Sequence, residues 1–276
     1  MDNGEFLDRG DVRLHYRLSG RGVPVLLIQG VGVVGGAWQP QIDYLASSNY
    51  ATLVFDNRGI GRSLPCRGPI TIEAMAEDTK SLMDHLKWDS AHIVGHSMGG
   101  VIAQQLALSH PTRVRSLSLL CTFARGKEAA RPMPWVLWMS LRTRIGSRPM
   151  RRRAFLEMLI PKDDLPAEDQ DALASEIGGL IGRDLATNPP ILFKQLRAMA
   201  RHDCFSRLRE LAGIPTVVLS AEHDRIALPR FGRSLADAVP GAQFEQIPAA
   251  SHGVIIYKPD TINQRLRAFL DSVEQL

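Results

Sequence analysis

Apolar residues in this chain fall in short runs at regular spacing. Val12 to Leu18 alternates apolar and polar positions, the pattern of a strand with one wet face. "VPVLLIQG" (Val23 to Gly30) and "ATLVFD" (Ala51 to Asp56) are continuous apolar runs closed by turn residues, and they predict strands buried on both faces, as in a parallel sheet. Between them, Trp38 to Ala46 reads as a helix. Thr71 to Leu86 has helical periodicity, with Thr71 as its N-cap. A strand ("AHIVG"), a helix ("MGGVIAQQLALSH") and a further strand ("VRSLSLLC") follow. This rhythm predicts βαβ units with right-handed crossovers.

The rhythm stops at Cys121. From Thr122 to about Cys204 no run reads as a buried strand, and seven prolines punctuate what read as helices. It resumes with "IPTVVLS" as strand, Arg230 to Val239 as helix, "AQFEQIP" as strand and Asp260 to Leu270 as the last helix. The expected organisation is a core domain of residues 1–121 and 205–276, with a helical cap of residues 122–204.

Composition narrows the class. The chain has 276 residues, 45% of them hydrophobic, enough for a sizeable core. No apolar run is long enough to span a membrane, and the first residues lack the basic-then-apolar pattern of a secretory signal. Cys66, Cys121 and Cys204 are odd in number and widely spaced, against a disulfide framework or a zinc site. The expected setting is reduced and cytoplasmic, with no metal. The net charge of +4 is matched by the segment Thr122 to Asp203 alone, with 14 Lys and Arg against 10 Asp and Glu. Solvated helix faces account for this excess. Attraction of an acidic substrate or contact with an anionic membrane, through the arginines clustered between Arg142 and Arg153 (Arg144 among them), is the weaker reading, and no motif supports nucleic acid.

The chemistry is read from "VGHSMGG" (Val94 to Gly100). Ser97 stands where a buried strand ends and a helix begins, flanked two residues away by Gly95 and Gly99. That is the G-x-S-x-G elbow, in which a strained turn lifts the serine hydroxyl to a helix N-terminus. A serine needs a base, and the base needs an acid to orient it. Asp224 in "LSAEHDRIALP" and His252 in "IPAASHGVII" each follow a predicted strand, on the sheet edge that carries Ser97. Glu222 is the alternative acid. His96 is expected to point away from the site and His223 to be a bystander. Asp56 and Arg58 are expected to brace their turn.

With "FDNRGIGRS", "GHSMGG", the Asp224-to-Pro229 D-x-x-x-x-P and the late His252 in that order, the chain resembles the α/β hydrolase superfamily, in its capped esterase and lactonase branch. The resemblance implies a mostly parallel, doubly wound sheet with the cap inserted after the sixth strand. It also implies an oxyanion hole from the backbone N–H groups of Val31 and Met98. The family's His-Gly-x-Gly loop reads Gln29-Gly30-Val31-Gly32 here. This loop misses the dinucleotide fingerprint, so no cofactor is expected. Gly30, Trp135, Trp138 and Met139 are expected to contact substrate, the last three as an apolar roof. The expected activity is hydrolysis of a small ester or lactone by a monomer or homodimer. Carbon–carbon bond hydrolases, cofactor-free haloperoxidases and triad-bearing receptors are the alternatives on this fold.

Overall fold

A computed structural model describes residues 4–130 and 134–275. In chain order the elements are β1 (Glu5–Asp8), β2 (Arg13–Ser19), β3 (Val23–Ile28), α1 (Gln39–Ala46), β4 (Tyr50–Phe55), α2 (Ile72–His85), β5 (Ala91–His96), α3 (Met98–Ser109) and β6 (Val114–Leu120). Helices follow: α4 (Gly126–Ala130), α5 (Pro134–Arg142), α6 (Arg148–Leu159), α7 (Gln170–Ile181) and α8 (Ile191–Arg201). The chain then returns through β7 (Thr216–Ala221), α9 (Pro229–Ala238), β8 (Gln243–Ile247), α10 (Val254–Tyr257) and α11 (Pro259–Glu274).

The eight strands form one sheet in the order β1-β2-β4-β3-β5-β6-β7-β8. β1 and β2 pair antiparallel, and every pairing from β4 to β8 is parallel. Strand alternation sorts the core into two layers. Leu26, Ile28, Ile93 and Leu119 face α2 and α3 on one side. Val25, Leu27, Val94 and Leu120 face α1 and α11 on the other. Because both faces are covered, β4, β5 and β7 are buried along their whole length.

The chain leaves β3 for β4 on one side, then crosses back to place β5 on the other. Such a reversal opens a crevice at the carboxyl edge, between the loops after β3 and β5. Over this crevice lie α5 to α8. α6 and α7 bury a small core of their own, including Leu156, Ala174, Ile177 and Ile181. Thr71 caps α2 by accepting a hydrogen bond from the Ala74 N–H at 3.1 Å. No helix among the described residues is long and apolar enough to cross a membrane.

Candidate active site

β5 ends at His96 and α3 begins at Met98, so Ser97 alone makes the turn, with φ 54° and ψ −120°. A non-glycine residue at positive φ is strained and needs its surroundings to hold it. The Ser97 N–H donates to the Leu120 carbonyl at 2.9 Å, and the Thr122 hydroxyl donates to the Ser97 carbonyl at 2.7 Å. Gly95 and Gly99 make the crossing possible. A Cβ on Gly95 would stand 2.4 Å from the Gly99 carbonyl oxygen, and one on Gly99 only 2.0 Å from that of Ile28. Both neighbours are backbone and have nowhere to go.

Two later strands bring the partners. Asp224 follows β7 and His252 follows β8, and both side chains are buried beside Ser97. His252 Nε2 lies 3.1 Å from Ser97 Oγ, and His252 Nδ1 lies 2.8 Å from Asp224 Oδ2. The other carboxylate oxygen, Oδ1, accepts the backbone N–H groups of Ile226 (2.8 Å) and Ala227 (2.9 Å). A carboxylate has only acceptors, so Nδ1 must carry the proton that bonds Asp224. The Nε2 lone pair is thereby left facing the serine hydroxyl. Behind this relay, burial pushes the Cys121 thiol well up, and the nearby Asp224 adds to the effect. Glu222 faces elsewhere: its carboxylate accepts the Ala249 N–H at 2.7 Å at the surface. His223 is exposed.

The loop after β3 approaches from the opposite side. A Cβ on Gly30 would sit 3.2 Å from Ser97 Cβ, so this position holds the loop against the serine. Gln29 is buried below, its amide donating to the Phe55 carbonyl at 2.5 Å. The same loop is fastened from the helical segment. Gln195 Oε1 accepts the Gly32 N–H at 2.8 Å, and the Ile181 carbonyl accepts the Val34 N–H at 3.1 Å. Asp56 takes the Gly35 N–H at 2.9 Å and the Arg62 N–H at 2.9 Å, bracing the two loops against each other. Arg58 is buried and pairs with Asp78 through two bonds of 2.6 and 2.7 Å. Met98 is the first residue of α3, so its N–H is one that the helix itself does not use.

A cavity of about 230 Å³ opens over Ser97 and His252, bounded by Gly30 and Val31 below and by α5, α6 and α8 above. Here the expected roof must be corrected. α5 turns Val136 and Ser140, one turn apart, toward the cavity; Trp135, Trp138 and Met139 are not part of its wall. Trp138 is 59% exposed. The Trp135 ring lies 5.0 Å from the Arg225 guanidinium. Met139 is buried, its sulfur 3.5 Å from Arg142 Nη1. Spacing located the helix but selected the wrong face, because the largest side chains were assumed to face the ligand.

His96 also departs from expectation. It does not turn away but lines the cavity next to Ser97. Its Nε2–H donates to the His252 carbonyl oxygen at 2.8 Å, and the two rings lie 5.0 Å apart. Burial, with the neighbouring His252, pulls its pKa down to about 3, so the ring is neutral. Arg183 and Gln195 were not singled out from the sequence either. No local motif marks them, since they come together only through packing of the helical segment on the β3 loop.

A doubly wound sheet with a strained serine, a histidine and an aspartate on loops at one edge defines the class of the α/β-fold hydrolases. The family model described as alpha/beta hydrolase fold matches residues 23–259, and the chain belongs to this family. It is 29% identical over 270 residues to RutD of Azorhizobium caulinodans, whose name assigns it to carbamate hydrolysis; 96% of this chain and 98% of that one are covered. The enol-lactonase of Burkholderia xenovorans superposes with a TM-score of 0.80 at 27% identity, over 97% of this chain and 100% of that one. A thermophilic esterase of Thermogutta terrifontis, solved with malate bound, gives 0.78 at 26% identity, over 98% and 99%.

Proposed function

We propose that the chain is a serine hydrolase that cleaves a carboxylic ester or lactone through an acyl-enzyme intermediate. The observation that carries this reading is the continuous relay from Ser97 Oγ to His252 Nε2 at 3.1 Å and from His252 Nδ1 to Asp224 Oδ2 at 2.8 Å. His252 takes the serine proton as Ser97 Oγ attacks the carbonyl carbon. Asp224 stabilises the imidazolium that forms. The backbone N–H groups of Val31 and Met98 receive the oxyanion; loss of one such donor costs about 2.7–4 kcal/mol of transition-state stabilisation. His252 then returns its proton to the departing alkoxide. Water, activated by the same nitrogen, releases the acyl group. Residues 122–204 act as the cap over the core of residues 1–121 and 205–276. A lactone fits the same sequence, because its leaving alkoxide stays tethered to the acyl chain. The named activities of the enol-lactonase and esterase neighbours support the choice of an acyl–oxygen bond.

The test is covalent labelling with a neutral fluorophosphonate, together with p-nitrophenyl acetate hydrolysis. Wild type is expected to label at Ser97 and to turn over ester. Ser97→Ala is expected to do neither while melting at the same temperature. Labelling that persists on another serine overturns the assignment.

A further inference from the structure

The cavity over Ser97 contains groups that acyl transfer does not use. Two guanidinium-bearing residues, Arg183 and Arg144, are part of its wall, and among the described residues no aspartate or glutamate is. Arg183 follows α7 and is partly buried. Its Nε donates to the Gly32 carbonyl at 3.4 Å, and its Nη1 donates to the carbonyls of Thr187 at 2.6 Å and Asp184 at 3.4 Å. Among the described residues, no carboxylate oxygen comes within 4.0 Å of it. Asp184 is next in the chain, but its carboxylate is engaged by Arg148 and Arg152. Burial draws the Arg183 guanidinium below the usual arginine range.

Arg144 stands at the exposed rim, 5.1 Å from the Phe193 ring, and its guanidinium donates to the Ser140 carbonyl. It too has no carboxylate partner among the described residues. In the same helical segment Arg142, Arg148, Arg152 and Arg153 each pair with a carboxylate, whereas among the described residues Arg151, Arg197 and Arg201 do not; Arg183 and Arg144 differ from those three in standing in the cavity wall. The charge of Asp184 still acts on Arg183 from beyond ion-pair distance, and the Phe155 ring lies 5.0 Å from its guanidinium, but a partly desolvated cation without a carboxylate in contact is costly to keep. A planar carboxylate is the ligand that matches a guanidinium with two parallel hydrogen bonds.

We propose that Arg183, with Arg144 at the rim, forms a carboxylate subsite, so that the substrate is a small ester or lactone bearing a free carboxylate remote from the scissile bond. The inference rests on the hydrolase reading above for the word substrate, and on the cavity wall for the subsite. The cavity, about 230 Å³, lies below the range of about 300–1,000 Å³ typical of drug-sized ligands, which favours a small metabolite.

The experiment compares hexanoate with hexanamide, equal in length and differing in charge, as protectants of Ser97 against a neutral fluorophosphonate. Hexanoate is expected to protect at about tenfold lower concentration or less, the strength of one charge-assisted hydrogen bond. Arg183→Met is expected to erase that preference, and Arg183→Lys to keep part of it. If Arg183→Met does not fold, Arg144→Met must lower the preference by itself. Equal protection by the two ligands overturns the proposal. So does a preference that survives in the Arg183→Met, Arg144→Met double variant, or inorganic phosphate protecting as well as hexanoate. Calorimetric titration of Ser97→Ala with hexanoate and hexanamide reads the subsite without any chemistry. A wild type that never labels would therefore sink the hydrolase reading while the titration still decides the subsite.

Discussion

Replacing Asp224 with asparagine changes one atom, and the surroundings dictate which way that atom must point. Oδ1 of Asp224 accepts two backbone N–H groups, from Ile226 and Ala227, and Oδ2 accepts His252 Nδ1–H. An asparagine has a single carbonyl oxygen. Turning its NH₂ toward Ile226 and Ala227 would set donors against two fixed donors in a buried site, leaving them unsatisfied at about 1–3 kcal/mol each. The oxygen therefore stays with the backbone, and the NH₂ faces His252. His252 must then accept through Nδ1 and carry its proton on Nε2, facing Ser97 Oγ. The serine keeps its neighbour but loses its base. In triads where this swap inverts the tautomer, kcat falls by about 10⁴, equivalent to about 5 kcal/mol of barrier at 1.36 kcal/mol per tenfold. Stability should change little, because both backbone hydrogen bonds survive. The assay is kcat for p-nitrophenyl acetate beside a thermal melt, for Asp224→Asn and for Glu222→Gln as a control. Expected outcomes are a loss of about 10⁴ with a melt lowered by only a few degrees, and near-normal kcat for Glu222→Gln. A loss under about tenfold, or one that follows unfolding, would refute the tautomer argument. A large loss in Glu222→Gln would move the acid.

The neutral His96 makes a pH prediction. Its pKa is about 3 in the folded chain and about 6.5 when unfolded, so between these values the unfolded state binds the extra proton. Stability supplied by this group is full above pH 6.5 and falls as pH drops toward 3, by about 1.4 kcal/mol per unit. Urea midpoints at pH 6.5 and 5 should therefore show wild type losing about 1.6 kcal/mol more than His96→Gln; an equal or opposite slope contradicts the assignment. The face that α5 turns to the cavity predicts that Trp138→Ala, at an exposed site, leaves the profile of kcat/KM against acyl length unchanged within about twofold, whereas Val136→Trp fills the cavity and cuts long acyl esters by more than about tenfold. A profile reshaped by Trp138→Ala would return that residue to the pocket.

The parallel strands and Ser97 were readable because each leaves a local mark. "VPVLLIQG" and "IPTVVLS" are largely apolar on both faces, as doubly covered strands must be; β3 lies within the first, and β7 overruns the second by one residue, Ala221. Gly95 and Gly99 are required by backbone contacts a few residues away in sequence or on the adjoining strand. β1 left no such mark: Glu5–Asp8 is four residues long, half exposed, and held by pairing with β2 at the sheet edge. The entry to α1 likewise tightens into a 3₁₀ turn at Gly35–Trp38, ahead of the helix expected from Trp38. The face that α5 shows the cavity was hidden because 3.6-residue periodicity defines stripes without saying what each stripe meets. Arg183 and Gln195 were hidden for a related reason: their partner is Gly32, some 150 residues earlier, and no periodicity spans that interval.

Gln195, the Ile181 carbonyl and Arg183 all hold the Gly32–Val34 stretch, and all three belong to the segment between β6 and β7. The division between the sheet that carries Ser97, Asp224 and His252 and the helical segment between β6 and β7 is therefore not clean in this molecule. A chimera that replaced residues 122–204 with the corresponding helices of a relative would remove three supports of the loop bearing Val31, while leaving Ser97, Asp224 and His252 in place. Grafts meant to transplant substrate preference would then arrive with altered turnover for every substrate, unless the donor's helical segment and its loop after β3 were moved as a matched pair.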